Sequence, residues 1–493
     1  MSLSVALRVA QSSLAARQTE TAIASQNISG ANSSAYSRKS VLLSSVVTSS
    51  GQSGGVKVSG IGRATNDPLY KTLVQATSVA SSQDAYLDGI ARLAETVGDT
   101  SLESSPAAYL GQLQISMQNY ASDPNSPIQA QAALDAAKDM ANALNDATRL
   151  VQNVRASADE DIDGSVENIN SLLDQLETLN TLIVKGNQSG DDITSALDSR
   201  DQVLLSLSEE VGITTLSRED GDIVVYTDSG VTLFETTARD VSFERTPTYD
   251  ATTQGNAIYV DGVPITGDDA IMPIKSGKIH GLTILRDDAT ITYQAQLDEV
   301  ARGLIEAFAE TDQSAGGLPD QTGLFAYSGS PAIPATGVMS PGLAGDIHIE
   351  SAVDPDQGGT TDLMRDGGIN GASYVYNTAG EASFGDRIQG YLDELDASRT
   401  FDIDARLDAD DTLMGFATNS VGWLESARKS ASADLEVQTV VVQRTAESLS
   451  NVTGVNIDEE MTLLLDIERG YSAAAKLIST VDKMLDDLLA AVR

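Results

Sequence analysis

Apolar residues recur at alternating spacings of three and four at both ends of this chain, and that period is lost in the middle. Leu464, Tyr471, Ile478, Leu485 and Val492 share one heptad position, and Ile467, Ala474, Val481 and Leu488 share the other. This is the seam of a helix that packs lengthwise on a partner. Gly454 and Asn456 precede Asp458, Glu459 and Glu460, so a cap and an acidic first turn at the positive end of the helix dipole mark its start. The N-terminal stripe runs Leu3, Leu7, Ala10, Leu14, Arg17, Thr21, Ala24 and Ile28, with small or polar residues in its second half. A helix cannot bury so narrow a stripe alone. The two ends are therefore expected to pack on each other and on neighbouring copies; an ordinary intramolecular helix pair explains the periodicity equally well.

Further helices are expected inside these ends. Ser126 and Pro127 form an N-cap and first-turn pair before the stripe Ala133, Ala137, Met140, Leu144, Ala147, Val151 and Val154. Ile169, Leu172, Leu176, Leu179 and Ile183 predict another helix, Leu297, Val300, Leu304 and Phe308 a third, and Val421, Leu424, Ala431, Leu435, Val442 and Leu449 a long fourth. From about Val211 to Ile274 the period shortens to β-branched runs, Ile213 to Leu216, Ile223 to Tyr226, Val231 to Phe234 and Ile258 to Val260, divided by Asp220-Gly221, Ser229-Gly230 and Asp261-Gly262. The expected class is an α+β multidomain fold, with terminal helices in coiled-coil-like bundles and β-rich domains inserted between them. Its parts are a terminal helical polymerisation domain (1–60 with 450–493), a second helical bundle (61–208 with 277–313 and 386–449), a small antiparallel β domain (209–276) and an irregular or β-rich insertion (314–385).

Composition narrows the chemistry. The 493 residues carry a net charge of -40, which opposes binding to nucleic acid or an anionic membrane surface. With no cysteine and two histidines, disulfides, thiol nucleophiles and cysteine-ligated metals are excluded. The N-terminus lacks the pattern of a cleaved signal peptide. Asp159, Asp161, Asp163 and Gly164 copy the first half of a calcium loop, but Asn170 stands where its bidentate Glu is needed. A solvated acidic turn, with Asp163 or Ser165 capping the next helix, is expected there. Asp402, Asp404, Asp408, Asp410 and Asp411 read as surface charge, His280 and His348 as structural, and Trp423 as a core residue at a helix start. No phosphate-cradling loop or dinucleotide fingerprint is present, and no catalytic residue, cofactor or metal is assigned.

Asn27-Ile28, Asn32 and Tyr36-Ser37-Arg38 resemble the N-terminal signature shared by the axial proteins of the bacterial flagellum, the rod, hook and hook-associated subunits. The chain departs from it at Gln26, Gly30 and Ala35, where Asn, Asn and Gly are usual. Gly55-Val56, Arg63 and Asp67, then Asp123-Pro124, Arg200-Asp201, Gly281 with Arg286-Asp287, and the run from Gly454 to Leu489 resemble, in order, the hook-associated subunits at the hook-filament junction, in particular the first of the two. The resemblance implies a structural, extracellular flagellar subunit that is not an enzyme and needs no cofactor. It implies unfolded export through the flagellar export apparatus, shielding by a chaperone that binds the C-terminal stripe, and assembly on the hook tip. Implied partners are the flagellar hook protein, the second hook-filament junction protein and a ring of identical subunits. The assembly interface is expected at Leu7, Leu14, Asn27, Ile28, Asn32, Tyr36, Arg38, Leu464, Tyr471, Ile478, Leu485 and Leu488. Another axial protein, such as the second junction protein or a hook subunit, is the alternative within this class; an acidic extracellular binding module or a metal-dependent hydrolase is the alternative outside it.

Overall fold

The computed structural model of the protein describes residues 3–47, 53–97 and 104–491, so Val492 of the heptad stripe lies outside the described residues. The chain begins with α1 (Leu3–Gly30), an antiparallel hairpin of β1 (Lys39–Val47) and β2 (Ser53–Arg63), α2 (Asp67–Val97), α3 (Pro106–Ser122), α4 (Pro127–Ser189) and α5 (Thr194–Glu210). Two three-stranded antiparallel sheets follow: β3 (Ile213–Ser217), β4 (Ile223–Thr227) and β5 (Thr232–Phe234), then β6 (Val241–Ser242), β7 (Tyr259–Val260) and β8 (Val263–Pro264). The return path is α6 (Lys278–Ile284), a π-bulge over Leu285–Ala289, and α7 (Thr290–Ala307). An insertion of short elements comes next: β9 (Phe325–Ala326), α8 (Leu343–Asp346), β10 (His348–Ile349) and α9 (Asp362–Asp366). The chain closes with α10 (Asp386–Asp396), the small hairpin β11 (Ser398–Thr400) and β12 (Asp410–Thr412), α11 (Leu413–Thr453) and α12 (Ile457–Ala491). None of the described helices is long and apolar enough to cross a membrane.

The spine is α4, 63 residues long and so about 95 Å from end to end. The Ser126 side chain caps its start, Pro127 opens it, and Gly190, at φ 80°, ends it. No turn interrupts it at 159–164, which corrects the expectation of two helices. The reason is that Asp159 is buried and neutralised: its carboxylate takes Arg286 Nη1 at 2.7 Å, the Tyr249 hydroxyl at 2.7 Å and the Thr246 amide at 2.7 Å. Ile162, Ser165 and Val166 then carry the buried stripe through, so Asp163 and Ser165 cap nothing. Farther on the stripe uses Leu173 in place of Leu172.

The hub is α7, buried on nearly every side. Such a helix is normally apolar all round, yet Gln296, Glu299 and Arg302 lie in its core. Each is partnered: Gln296 donates to the Ala405 carbonyl and accepts from Ser420, while Arg302 grips Glu299 at 2.7 Å and Glu306 at 2.6 Å. Around it pack α4, α8, α10 and α11.

The β1–β2 hairpin was not foreseen. Its strands carry Ser and Gly pairs without strict alternation, and two register shifts, at Leu42/Leu43 and Val46/Val47, break the period-two signal. The boundary expected at residue 60 falls within β2, and the one at 449/450 falls within α11, which continues to Thr453. Trp423 sits well inside α11, half-buried against the core. The Asp220-Gly221 and Asp261-Gly262 turns each place both residues at positive φ; the second is the whole two-residue loop of the β7–β8 hairpin, the geometry such loops demand, while the first lies in the longer link from β3 to β4.

Candidate assembly surface

The two ends of the chain meet as an antiparallel helix pair, with Arg17 beside Gly470 and Arg38 beside Glu460. The buried line on α12 is Glu460, Ile467, Ala474 and Val481, spaced by seven, and the buried apolar residues of α1, packed on α12 and on the hairpin, are Ala10, Ala16, Ile23 and Ala24. The other heptad set behaves differently. Leu464, Ile478 and Leu485 are half-buried and Tyr471 is 41% exposed, while Leu488, which continues the buried line toward the end of α12, is itself 56% exposed. Only one of the two sequence-legible positions therefore forms the intramolecular seam. Met461, Leu463, Leu465, Leu477, Met484 and Leu489 add to the apolar surface that α12 presents outward. On α1, Leu7 and Leu14 are half-buried, and the hairpin backs that helix, with the Val56 amide donating to Ser12 Oγ at 3.2 Å.

At the base of the pair lies a polar knot. Asn27 is buried; its carboxamide donates to the Lys39 carbonyl at 2.8 Å and accepts from the Lys39 amide at 2.9 Å and the Tyr36 hydroxyl at 2.9 Å. This clamps the turn from α1 into β1. A Cβ on Gly30 would lie 2.6 Å from the Tyr36 ring, so the ring's position requires glycine there. Ala35 is not in a left-handed conformation, so no glycine is needed at that point. Arg38 donates through Nε to Glu460 at 2.7 Å and through its amide to the Thr453 carbonyl at 2.8 Å, which ties the turn to the α11–α12 junction. Lys39 Nζ donates to Ser195 Oγ at 2.7 Å, and Arg63 Nη1 bridges Asp198 and Asp201 at 3.1 and 2.6 Å. These contacts fasten the terminal unit to α5. Burial, with Asp198 and Glu460 nearby, pushes the Tyr36 hydroxyl up to about 12, which keeps it a donor at any physiological pH. Burial likewise raises Asp201 against the opposing pull of Arg63.

Of the expected residues, the structure gathers Asn27, Tyr36 and Arg38 into this knot, while Ile28 is half-buried and Asn32 exposed. Lys39, Asp198 and Glu460 were not foreseen as part of it; their partners lie far off in sequence, and no local pattern announces them. The decoys resolve simply. Asn170 bonds both ways with the Val241 backbone, donating at 2.7 Å and accepting at 3.0 Å, and so plugs the edge of β6. His280 Nδ1 faces Ser82 Oγ at 2.9 Å and His348 is exposed. Asp402 accepts the Met339 and Asp404 amides, and Asp411 accepts Asn419. Among the described residues no group of three or more acidic or histidine side chains is placed to hold a metal.

Residues 90–325 match the model of the flagellar hook-associated protein FlgK helical domain, and residues 449–491 that of the flagellar basal body rod FlgEFG protein C-terminal region. Through residues 90–325 the chain is similar to flagellar hook-associated protein 1. Hook-associated protein 1 of Escherichia coli is 25% identical over 317 residues, 62% of this chain and 56% of that protein. The Salmonella typhimurium protein is 24% identical over 61% of this chain and 55% of its own length. The chain thus spans about half the length of these enteric relatives. The Bacillus subtilis member is 21% identical over 98% of this chain and 97% of its own. The flagellar hook junction protein FlgK of Burkholderia pseudomallei has the same fold, with a TM-score of 0.57 over 78% of this chain and all of that one, at 15% identity.

Proposed function

We propose that this protein is a structural subunit of the bacterial flagellum at the junction between hook and filament, and that it is not an enzyme. The observation that carries the reading is α12. The helix spends one heptad position on α1 and leaves Leu465, Tyr471, Leu477 and Leu488 exposed, and apolar side chains clustered on one helix surface favour association. In the proposal neighbouring copies in a ring cover that face, with the hook protein below and the second junction protein above. The interface expected at Leu7, Leu14, Asn27, Ile28, Asn32, Tyr36, Arg38, Leu464, Tyr471, Ile478, Leu485 and Leu488 then has two roles: the polar members shape the terminal pair and the apolar members of α12 dock. Export is unfolded, through the flagellar export apparatus and without a cleaved signal, and a chaperone shields the C-terminal stripe beforehand. In the exported monomer the ends order fully on assembly.

The test is complementation of a deletion strain. The wild-type chain should restore filaments. Tyr471→Asp and Leu488→Asp, both at exposed positions, should fold normally yet leave bare hooks and flagellin in the medium. Filaments of normal length from both variants would sink the proposal. Limited proteolysis of the free chain checks the export reading: sites near Leu14 and Ile478 should be cut well before those near Leu144.

A further inference from the structure

The terminal unit carries a second exposed apolar surface besides α12. In the β1–β2 hairpin, Leu42 is 52% and Val46 40% exposed. Cross-strand partners share a face and successive residues alternate, so the pairing of Ser44 with Lys57 places Leu42, Val46 and the exposed Lys57 together on one side, with Lys57 between the other two. Between α1 and α12 lies a cleft of about 600 Å³, lined by Gln18 and Thr21 on one wall and by Met461, Leu465, Glu468 and Tyr471 on the other. No hairpin residue of the same copy lines it. The lengths of the two surfaces match: Met461 to Tyr471 spans about 15 Å of helix, and Leu42 to Val46 about 13 Å of strand.

Charge decides which of these surfaces can meet. Residues 3–63 hold six basic side chains and one acidic, whereas α12 holds eight acidic and three basic. Two hairpin faces, or two α12 faces, would set like charges against each other, while a hairpin on an α12 would not. Lys57 and Glu468 are exposed, opposite in sign and free of ion pairs among the described residues. We infer that the hairpin of one copy of this chain seats in the α1–α12 cleft of the next, with Leu42 and Val46 on Met461, Leu465 and Tyr471, and Lys57 beside Glu468. Apolar burial supplies the affinity, and the charges set the orientation. Such a contact joins two different surfaces, so its repetition builds a ring or a helical array and not a closed dimer. The inference rests on the junction reading and adds to it the surface that covers α12.

The chain has no cysteine of its own, so single cysteines report the contact directly. Full-length Leu42→Cys and Met461→Cys chains are expressed together in a deletion strain, and the isolated flagella are treated with a short bismaleimide. A covalent dimer of the chain is expected from the mixture, several-fold more than from flagella carrying either variant alone. Charge reversal gives a second readout: Lys57→Glu and Glu468→Lys should each lower the number of filaments per cell several-fold, and the chain carrying both should regain the wild-type number, because every copy then meets its neighbour with the signs exchanged. Flagella that contain both cysteine chains yet give no dimer, as much dimer from Leu42→Cys alone, or a double reversal no better than the single ones would each overturn the inference while leaving the junction reading in place. A wild-type chain that never enters the flagellum would overturn both.

Discussion

Asp159 shows how a single side chain decides what a stretch of sequence becomes. With Asp161, Asp163 and Gly164 it has the composition of a loop, but burial against Arg286 and Tyr249 holds it in a helix. Removing one partner of a buried ion pair leaves an uncompensated charge, although Asp287 also contacts Arg286, at 2.7 Å. Asp159→Ala is thus expected to lower stability by roughly 3 kcal/mol, measured as a shift in the urea midpoint; a change under about 0.5 kcal/mol would mean that Asp287 suffices alone. Asp298 sets a pH dependence. Its carboxylate, buried on α7, accepts the Gly342 and Ala344 amides at 2.8 and 2.9 Å, yet burial outweighs them and raises it to about 6. A folded-state value above the unfolded one means that the native chain holds the proton more tightly between them. The associated stability is complete below about pH 4 and is lost as pH rises through 6. Thermal melts should therefore move upward between pH 7 and pH 5, reflecting a gain of roughly 1.4 kcal/mol. Asp250 and Asp312, held at about 2 by their hydrogen bonds, act only at lower pH, whereas burial lowers His280 and so opposes the rise within this window. Asp298→Asn should therefore remove the upward part of the trend, and an unchanged pH profile in that variant would contradict the assignment.

At the scale of elements, the heptad on α12 offers two apolar lines, and geometry assigns them different tasks. Ile467, 1% exposed, is the largest apolar side chain in the line that faces α1. Ile467→Ala should cost about 2–4 kcal/mol of local stability through the cavity it leaves. Hydrogen exchange should then accelerate in α1 and α12 and stay unchanged in α4, whose contacts are separate. Equal acceleration in α4 would show that the terminal pair is not an independent unit. The knot at Asn27, Arg38, Lys39 and Arg63 is what joins this pair to α5 and to the α11–α12 junction, so the orientation of α1 is coupled to the second bundle through charge-assisted hydrogen bonds.

For the whole molecule, the net charge of -40 opposes the side-by-side packing that a ring requires. Screening shortens from about 10 Å at 0.1 M salt to about 3 Å at 1 M. The mass of the full chain in light scattering should accordingly rise with sodium chloride over that range, since apolar contacts on α12 strengthen relative to repulsion. A mass that falls with salt would show that ion pairs, and not apolar burial, drive association.

The amphipathic lines of α4, α7, α11 and α12 and the turns at Asp220-Gly221 and Asp261-Gly262 could be read from the sequence, because periodicity, capping and left-handed turn residues act over a few neighbours. The stripe Ala133 to Val154 and the stripe Leu297 to Phe308 are buried as written. Only the tertiary structure decided that 159–164 stays helical, that β1 and β2 pair through two register shifts, and that Ile467 turns inward while Tyr471 faces out. Each of these depends on a partner far away along the chain, Arg286 for Asp159 and α1 for Ile467. A local pattern tells which residues want burial; which of several apolar or charged faces obtains it is settled by what the rest of the fold brings alongside.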